Sequence, residues 1–382
     1  MSKYGSVRAI INLDNAESNF KNLKALISSK TKICCVLKAN AYGHGAVTMA
    51  RLYEKEGADY FAVATPLEAL ELRKNGIIVP IMTLGYTGEK FYDDFIENDV
   101  DFTVFSYHDA KEISDAALRK NKNANIHIAI DTGMSRIGFQ ADEESINEIR
   151  KISSLKNLHF KGIFTHFARS DEKEMETTVL QYKLFIEMIS ELEDLGITFD
   201  IRHCDNSAGM LCYPEYGFDM VRLGIVLYGY FPSDEVDRTL VSLKPVMTLK
   251  TDVTHVKALP AGRSVSYGFH YTLEEPQKIA TCAIGYADGL LREFKDKVEF
   301  CINGKFYKIV GNICMDQCML RVDDNVKKSD EVVIFGDILN CTAADFARKV
   351  GTISYEILCL VGHRVRRVYL RNGKIECEKS YL

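Results

Sequence analysis

No block of like charge and no low-complexity tract breaks this 382-residue sequence, whose net charge is −5. Nucleic-acid binders usually carry a basic stripe, so that class is disfavoured. No long apolar run opens the chain: MSKYGSVRAIINLDNAESNF is mixed in character. Neither a secretory signal nor a membrane span is expected, and a cytoplasmic protein without a membrane partner is. Eleven cysteines are present, but no repeated CxxC pair and no ligand quartet at metal spacing. The reading is therefore reduced thiols and no metal site. No GxGxxG opens the first strand–helix unit, which ranks a doubly wound dinucleotide-binding sheet second among the folds considered.

Apolar residues make up 47% of the chain and charged residues 26%, as in an ordinary globular enzyme. The length exceeds one compact core, so two domains are expected. From residue 32 a unit repeats, an apolar run followed by polar turn residues and a stretch of helical period. The runs are KICCVL, YFAVAT, VPIMTL, DFTVF, NIHIAI, HFKGIFTHF, FDIRHC and MVRLGI. Between them lie stretches such as AVTMARLYEKEG, PLEALELRKNG, YHDAKEISDAALRKN and METTVLQYKLFIEMISELEDLG. Continuous apolar strands between helices imply a parallel sheet covered on both faces, and eight strands close a (β/α)8 barrel. Beyond about residue 240 the segments turn short and β-branched, as in VMTLKTDVTHVKAL, RSVSYGFHYTL, QKIATCAIGY and EVVIFGD. A mostly antiparallel β domain is predicted there. The predicted division is 1–237 and 238–382, with a turn-rich linker at Phe231-Pro232-Ser233-Asp234; residues 1–10 could supply a strand to the second domain.

Barrel active sites lie at the C-terminal strand ends. The first run closes on Lys38, followed by Ala39-Asn40-Ala41-Tyr42-Gly43-His44-Gly45. Burial would lower the lysine pKa and free its amine to attack a carbonyl, although a lysine that has merely reached an exposed strand end reads the same. Arg136 lies in a loop bracketed by Gly133 and Gly138, where it could grip a carboxylate or simply face water. His166 closes the sixth run and could stack on a flat cofactor or be a satisfied core histidine. Asn206 and Ser207 open a helix after the seventh run, which suits a phosphate or an ordinary N-cap. Arg222 sits inside the eighth run and needs a buried partner, a pyridine nitrogen or a carboxylate. Gly224 behind it would let the backbone approach a phosphate. Together these place a reactive lysine, a cation, an aromatic plate and a phosphate cradle on one rim, which fits an aldehyde cofactor carrying a phosphate.

The stretch Val36-Leu37-Lys38-Ala39-Asn40-Ala41-Tyr42-Gly43-His44-Gly45 closely resembles the cofactor-attachment motif of the alanine racemase family. The likeness continues through residues 132–139, 165–167, 206–208, 221–224, 265–268, 284–289, 314–317 and 352–356. It implies a barrel plus β domain in a head-to-tail homodimer, each site shared between subunits, with pyridoxal 5′-phosphate (PLP) as cofactor and alanine as substrate. Lys38 would bind the cofactor and act as one base, and Tyr267 from the partner subunit would be the other. His166 would pack on the cofactor ring and link Tyr267 to Arg222, which faces the pyridine nitrogen. Arg136 and the Met315 backbone would hold the substrate carboxylate. Tyr42, Ser207, Gly224, Ile225 and Tyr355 would surround the phosphate, Asn206 would also bind the cofactor, and Tyr286 would line the entrance. Supply of D-alanine for peptidoglycan is the role implied.

Two positions depart from the family pattern. Ala129 stands where many members carry a modified lysine that orients the neighbouring arginine, so Arg136 needs a bound anion such as chloride or an acidic side chain. Asn312 stands where an arginine is common near the entrance. A serine or broad-specificity racemase is the alternative, against which Tyr355 argues because it crowds a hydroxymethyl group. A decarboxylase of the same fold would need no tyrosine opposite the lysine, and a PLP carrier would lack the β domain.

Overall fold

The computed structural model describes residues 6–381. Eight parallel strands form a ring: Lys32–Val36, Tyr60–Val63, Ile81–Thr83, Val100–Val104, Ala124–Asp131, Leu158–Phe164, Ile201–His203 and Met220–Leu223. Each overlaps one of the eight apolar runs. The last strand pairs with the first, Arg222 opposite Cys34. Between the seventh and eighth the ladder is reduced to Asp219 N–H to Arg202 O (3.0 Å) and Arg222 N–H to Asp205 O (3.1 Å), so the barrel is nearly closed. The second and fourth strands are buried at every position, as strands covered by helices outside and packed side chains inside must be. The helices start where the sequence supplies caps. Thr65 and Glu68 form a capping box ahead of Pro66–Lys74, Ser106 accepts from the Asp109 amide, and Asp142 accepts from the Ser145 amide.

The second sheet is mostly antiparallel. Its order is Lys305–Lys308, Glu299–Ile302, Glu331–Phe335, Met247–Leu259, Arg8–Asn12, Arg366–Arg371 and Lys374–Lys379, with Gln277–Cys282 and Cys318–Val322 branching from it. Arg8–Asn12 thus belongs to this sheet, antiparallel to Met247–Leu259 and parallel to Arg366–Arg371. It leads directly into helix Leu13–Lys24, capped by the Asn12 side chain. Residues 1–5 of the strand-like opening lie outside the described residues. Within RSVSYGFHYTL only Ser264–Val265 and Tyr271–Thr272 are extended, because Ser266, Gly268 and Phe269 take positive φ and turn the chain. Two helices, Ala343–Val350 and Ser354–Cys359, interrupt the expected run of strands. All eleven cysteines are free thiols, and among the described residues no helix is long and apolar enough to cross a membrane.

Candidate active site

The first barrel strand delivers Lys38 to an unusual turn. Residues 39–42 all have φ between 51° and 54°, four successive left-handed residues none of which is glycine. Each costs about 1–2 kcal/mol relative to right-handed backbone, so the surroundings must hold the turn. The His44 Nδ1–H donates to the carbonyls of Ala41 (3.0 Å) and Tyr42 (2.9 Å), and the Asn40 side chain accepts from the Ala46 amide at 2.8 Å. From the far end of the chain, Arg367 Nε donates to Gly43 O (2.8 Å) and the Tyr369 hydroxyl to His44 O (3.0 Å). A Cβ on Gly43 would stand 2.5 Å from Leu358 O, so only glycine closes this turn. Burial, reinforced by the Arg136 cation, holds the Lys38 amine below the usual lysine range.

Lys38 opens into a cavity of about 150 Å³. Tyr42, His166, Asn206, Ser207, Arg222, Gly224, Ile225 and Tyr355 line it. Asn206 is the N-cap of the helix opened by Ser207 and accepts from the Ala208 and Gly209 amides. The Ser207 hydroxyl accepts from the Gly224 amide at 2.8 Å. A Cβ on Gly224 would lie 2.9 Å from the Tyr42 hydroxyl, filling the cradle. Burial raises the phenols of Tyr42 and Tyr355, so both remain protonated donors facing the cavity.

Arg222 is buried and pairs with no carboxylate among the described residues. Its Nη1 donates to His203 Nδ1 (2.8 Å) and His203 O (3.2 Å). Its Nη2 donates to Thr165 O (2.9 Å), Cys204 O (2.8 Å) and His166 Nδ1 (3.2 Å). The guanidinium also stands 5.6 Å from the Phe164 ring centroid. The Nε–H has no partner among the described residues, which leaves one donor of a cavity-lining arginine for a ligand. Burial, then Arg222, Arg136 and Lys38, push the His166 pKa well below its ordinary value. His166 is thus neutral, with Nδ1 accepting and the proton on Nε2.

A second lobe of about 210 Å³ shares Lys38 and His166 and adds Ala129, Met134 and Arg136. Its loop is shaped by Asp131, whose carboxylate accepts from the amides of Gly133 and Ser135, both at 2.9 Å. Arg136 is exposed and makes no side-chain hydrogen bond or ion pair among the described residues.

Tyr267, Tyr286 and Met315 line neither lobe; within one chain they are not brought to Lys38. They gather instead on the β domain. Asn312 Nδ2 donates to Tyr267 O at 2.8 Å, and Met315 O accepts from the amide of Ala287, next to Tyr286, at 3.0 Å. Tyr267 is 74% exposed, Met315 52% and Tyr286 43%. His203 and Asp205, which sequence reasoning passed over, line neither lobe but contact Arg222, His203 through Nδ1 and Asp205 through its backbone carbonyl. For His203 the available signal was the one used for Arg222, a polar side chain inside an apolar run.

A larger groove of about 910 Å³ lies elsewhere, between helix Leu13–Lys24 and the C-terminal hairpin. It gathers no polar groups around a half-buried lysine of lowered pKa, so the smaller cavity is the candidate site.

Comparison with known proteins bears on this arrangement. Residues 11–232 match the family model for the alanine racemase N-terminal domain, and residues 246–369 that for the C-terminal domain. Alanine racemase 1 of Clostridium acetobutylicum is 46% identical over 380 residues, covering 98% of each chain. Alanine racemase of Clostridium novyi is 44% identical over 381 residues, again 98% of each. Among solved structures, alanine racemase of Clostridium difficile 630 superposes with a TM-score of 0.97 at 43% identity, covering 100% of both chains. That of Bacillus anthracis with bound L-Ala-P gives 0.95 at 35% identity, covering 100% of this chain and 99% of the other.

Proposed function

The chain belongs to the alanine racemase family, and from that membership we propose that it interconverts L- and D-alanine with PLP, using Lys38 and the partner subunit's Tyr267 as two bases on opposite faces of the substrate. The observation that carries the proposal is the cavity where a desolvated lysine, a donor-only arginine and a glycine-floored cradle converge. The residues present fit PLP. Lys38 would hold its aldehyde carbon, Tyr42, Ser207, Gly224, Ile225 and Tyr355 its phosphate, and the free Nε–H of Arg222 its pyridine nitrogen. When bound, the cofactor supplies an electron sink that acidifies the substrate Cα–H.

The chain's own groups move the protons. Lysine and tyrosine ordinarily titrate near ~10, so each must be shifted or paired to act as a base at neutral pH. Desolvation does this for Lys38. For Tyr267 the direction of the hydrogen bonds matters. Arg222 donates to His166 Nδ1, so the His166 proton sits on Nε2 and is available to stabilise a phenolate. Arg136 would bind the substrate carboxylate, helped by the Met315 backbone, while Tyr286 lines the entrance. Ala129 offers Arg136 no charge and no acidic side chain among the described residues pairs with it, so the proposed partner of Arg136 is a bound anion such as chloride. Chloride-free buffer should then raise the alanine KM, and an unchanged KM would rule that partner out.

The same proposal includes a homodimer with shared sites, a division near residues 237 and 238, a cytoplasmic location and D-alanine supply for peptidoglycan. The test is D-alanine formation from L-alanine by purified protein with PLP, with L-serine in parallel. Faster alanine turnover supports the reading. Serine equal or faster would keep the chemistry and replace the substrate, because Tyr355 would not be crowding the larger side chain. Turnover of neither, with PLP bound, would move the reading to another reaction on this barrel.

A further inference from the structure

Behind Arg222 the barrel interior holds a row of polar side chains that the proposed chemistry does not use. His203 Nε2 lies 3.1 Å from His127 Nδ1, and His127 Nε2 lies 3.4 Å from Asp101 Oδ2. Tyr60 donates its hydroxyl to Asp101 Oδ2, and Asn125 Nδ2 donates to Asp101 Oδ1 at 2.9 Å. The row crosses from the eighth barrel strand through the seventh and fifth to the fourth. His203 and His127 are fully buried, and Arg222 and Asp101 are each 2% exposed. The rings are closely seated: His203 stacks on Phe164 at 5.0 Å, and any Cβ on Gly162 would collide with the His127 ring.

The direction of the row follows from its end. An arginine only donates, so His203 Nδ1 must accept, which places the His203 proton on Nε2. That proton meets His127 Nδ1, which must accept in turn, so the His127 proton sits on Nε2 and points at Asp101. A carboxylate can only accept when ionised, and it closes the row. Three donors converge on the Asp101 carboxyl, His127, Tyr60 and Asn125, and donors aimed at a carboxylate favour its ionised form. The nearer carboxyl, Asp205, is pushed up to about 7 by burial despite Arg222 and leaves Oδ2 unpartnered, so it is a partial counter-charge at neutral pH. We infer that Asp101, acting through His127 and His203, is the remote counter-ion of Arg222 and a positioning residue for the reaction, holding the guanidinium in place with two neutral imidazoles of fixed tautomer between the charges. This rests on the proposed role of Arg222 at the cofactor.

The test has two arms. In native protein labelled with ¹⁵N-histidine and assigned with His127→Gln and His203→Gln, both rings should show a bare Nδ1 and a protonated Nε2. A proton on Nδ1 of either ring, or on both nitrogens, would overturn the inference. In the second arm, Asp101→Asn keeps an acceptor for His127 but removes the charge, and should lower kcat by at least ~tenfold with KM nearly unchanged, because displaced catalytic groups cost rate before binding. Asp101→Glu should recover most of the loss. Native kcat in Asp101→Asn would overturn the positioning role. Should Asp101→Asn not fold, the tautomers of the native chain decide. A native protein that racemises neither alanine nor serine would defeat the reading of the site while the tautomers still decide the row.

Discussion

At single residues the structure separates groups that hold the fold from groups that would do chemistry. Tyr267 is largely exposed in one chain, so Tyr267→Phe should leave the melting temperature unchanged while D/L interconversion falls by at least ~10²-fold, as loss of a general base does. Retained interconversion would refute the two-base assignment. Gly224→Ala would press a methyl against the Tyr42 hydroxyl. Overpacking of about 1–3 kcal/mol should weaken PLP binding roughly tenfold in an absorbance titration, and equal affinity would remove Gly224 from the cradle. Titration gives a third expectation. Burial keeps His44 down at about 3, and His166 and His203 well below their ordinary value. Unfolded, each takes a proton near ~6.5. Below that pH the unfolded chain binds more protons, so these three contribute stability that is lost as pH falls from 6.5. Asp205, raised to about 7, acts oppositely, its contribution falling as pH rises from ~3.9 toward 7. The balance is roughly two protons, or about 2–3 kcal/mol lost per pH unit below 6.5. Urea melts at pH 7 and 5.5 check this, and equal stability at the two would contradict it.

Among elements, the left-handed turn after Lys38 stores the most strain. Ala39 is exposed at φ 53°, so Ala39→Gly should leave stability level or raise it by up to about 1 kcal/mol, strain relief offset by a freer unfolded chain. Gly43→Ala should lower it, since the added methyl meets Leu358 O. Thermal melts of the two variants shifting in the same direction would show that the turn is not strained as described. The sequence makes the barrel strands legible because each is an apolar run bounded by polar turn residues. It does not show this turn, for Ala-Asn-Ala-Tyr has no local preference for positive φ. Arg367 and Tyr369, more than 320 residues away in the chain, impose it. The helix Ala343–Val350 carried a readable signal in Thr342 and Asp345, a capping box masked by the β-rich segments around it. The cavity residues were legible as strand ends facing one rim. The row from His203 to Asp101 was not, because its pairings join runs far apart in the sequence (DFTVF, NIHIAI and FDIRHC), although each member is a polar residue in an apolar run, as Arg222 is.

For the whole molecule, one chain carries two halves of a site that do not meet. Lys38 and Arg222 face the barrel mouth, while Tyr267, Tyr286 and Met315 stand exposed on the β domain with Phe269, itself 74% exposed. A head-to-tail dimer would join them. Mixing Lys38→Ala with Tyr267→Phe subunits should then restore roughly a quarter of native activity, since random pairing makes half the dimers mixed and each mixed dimer has one intact site. No recovery on mixing would mean that sites are not shared. The clamp on the Lys38 turn has a consequence in time. Its Arg367 and Tyr369 lie in the strand Arg366–Arg371, which follows every barrel strand in chain order. A nascent chain can therefore complete all eight barrel strands and still lack the geometry that receives the cofactor, so loading has to wait until that later strand has been made and has docked against the turn.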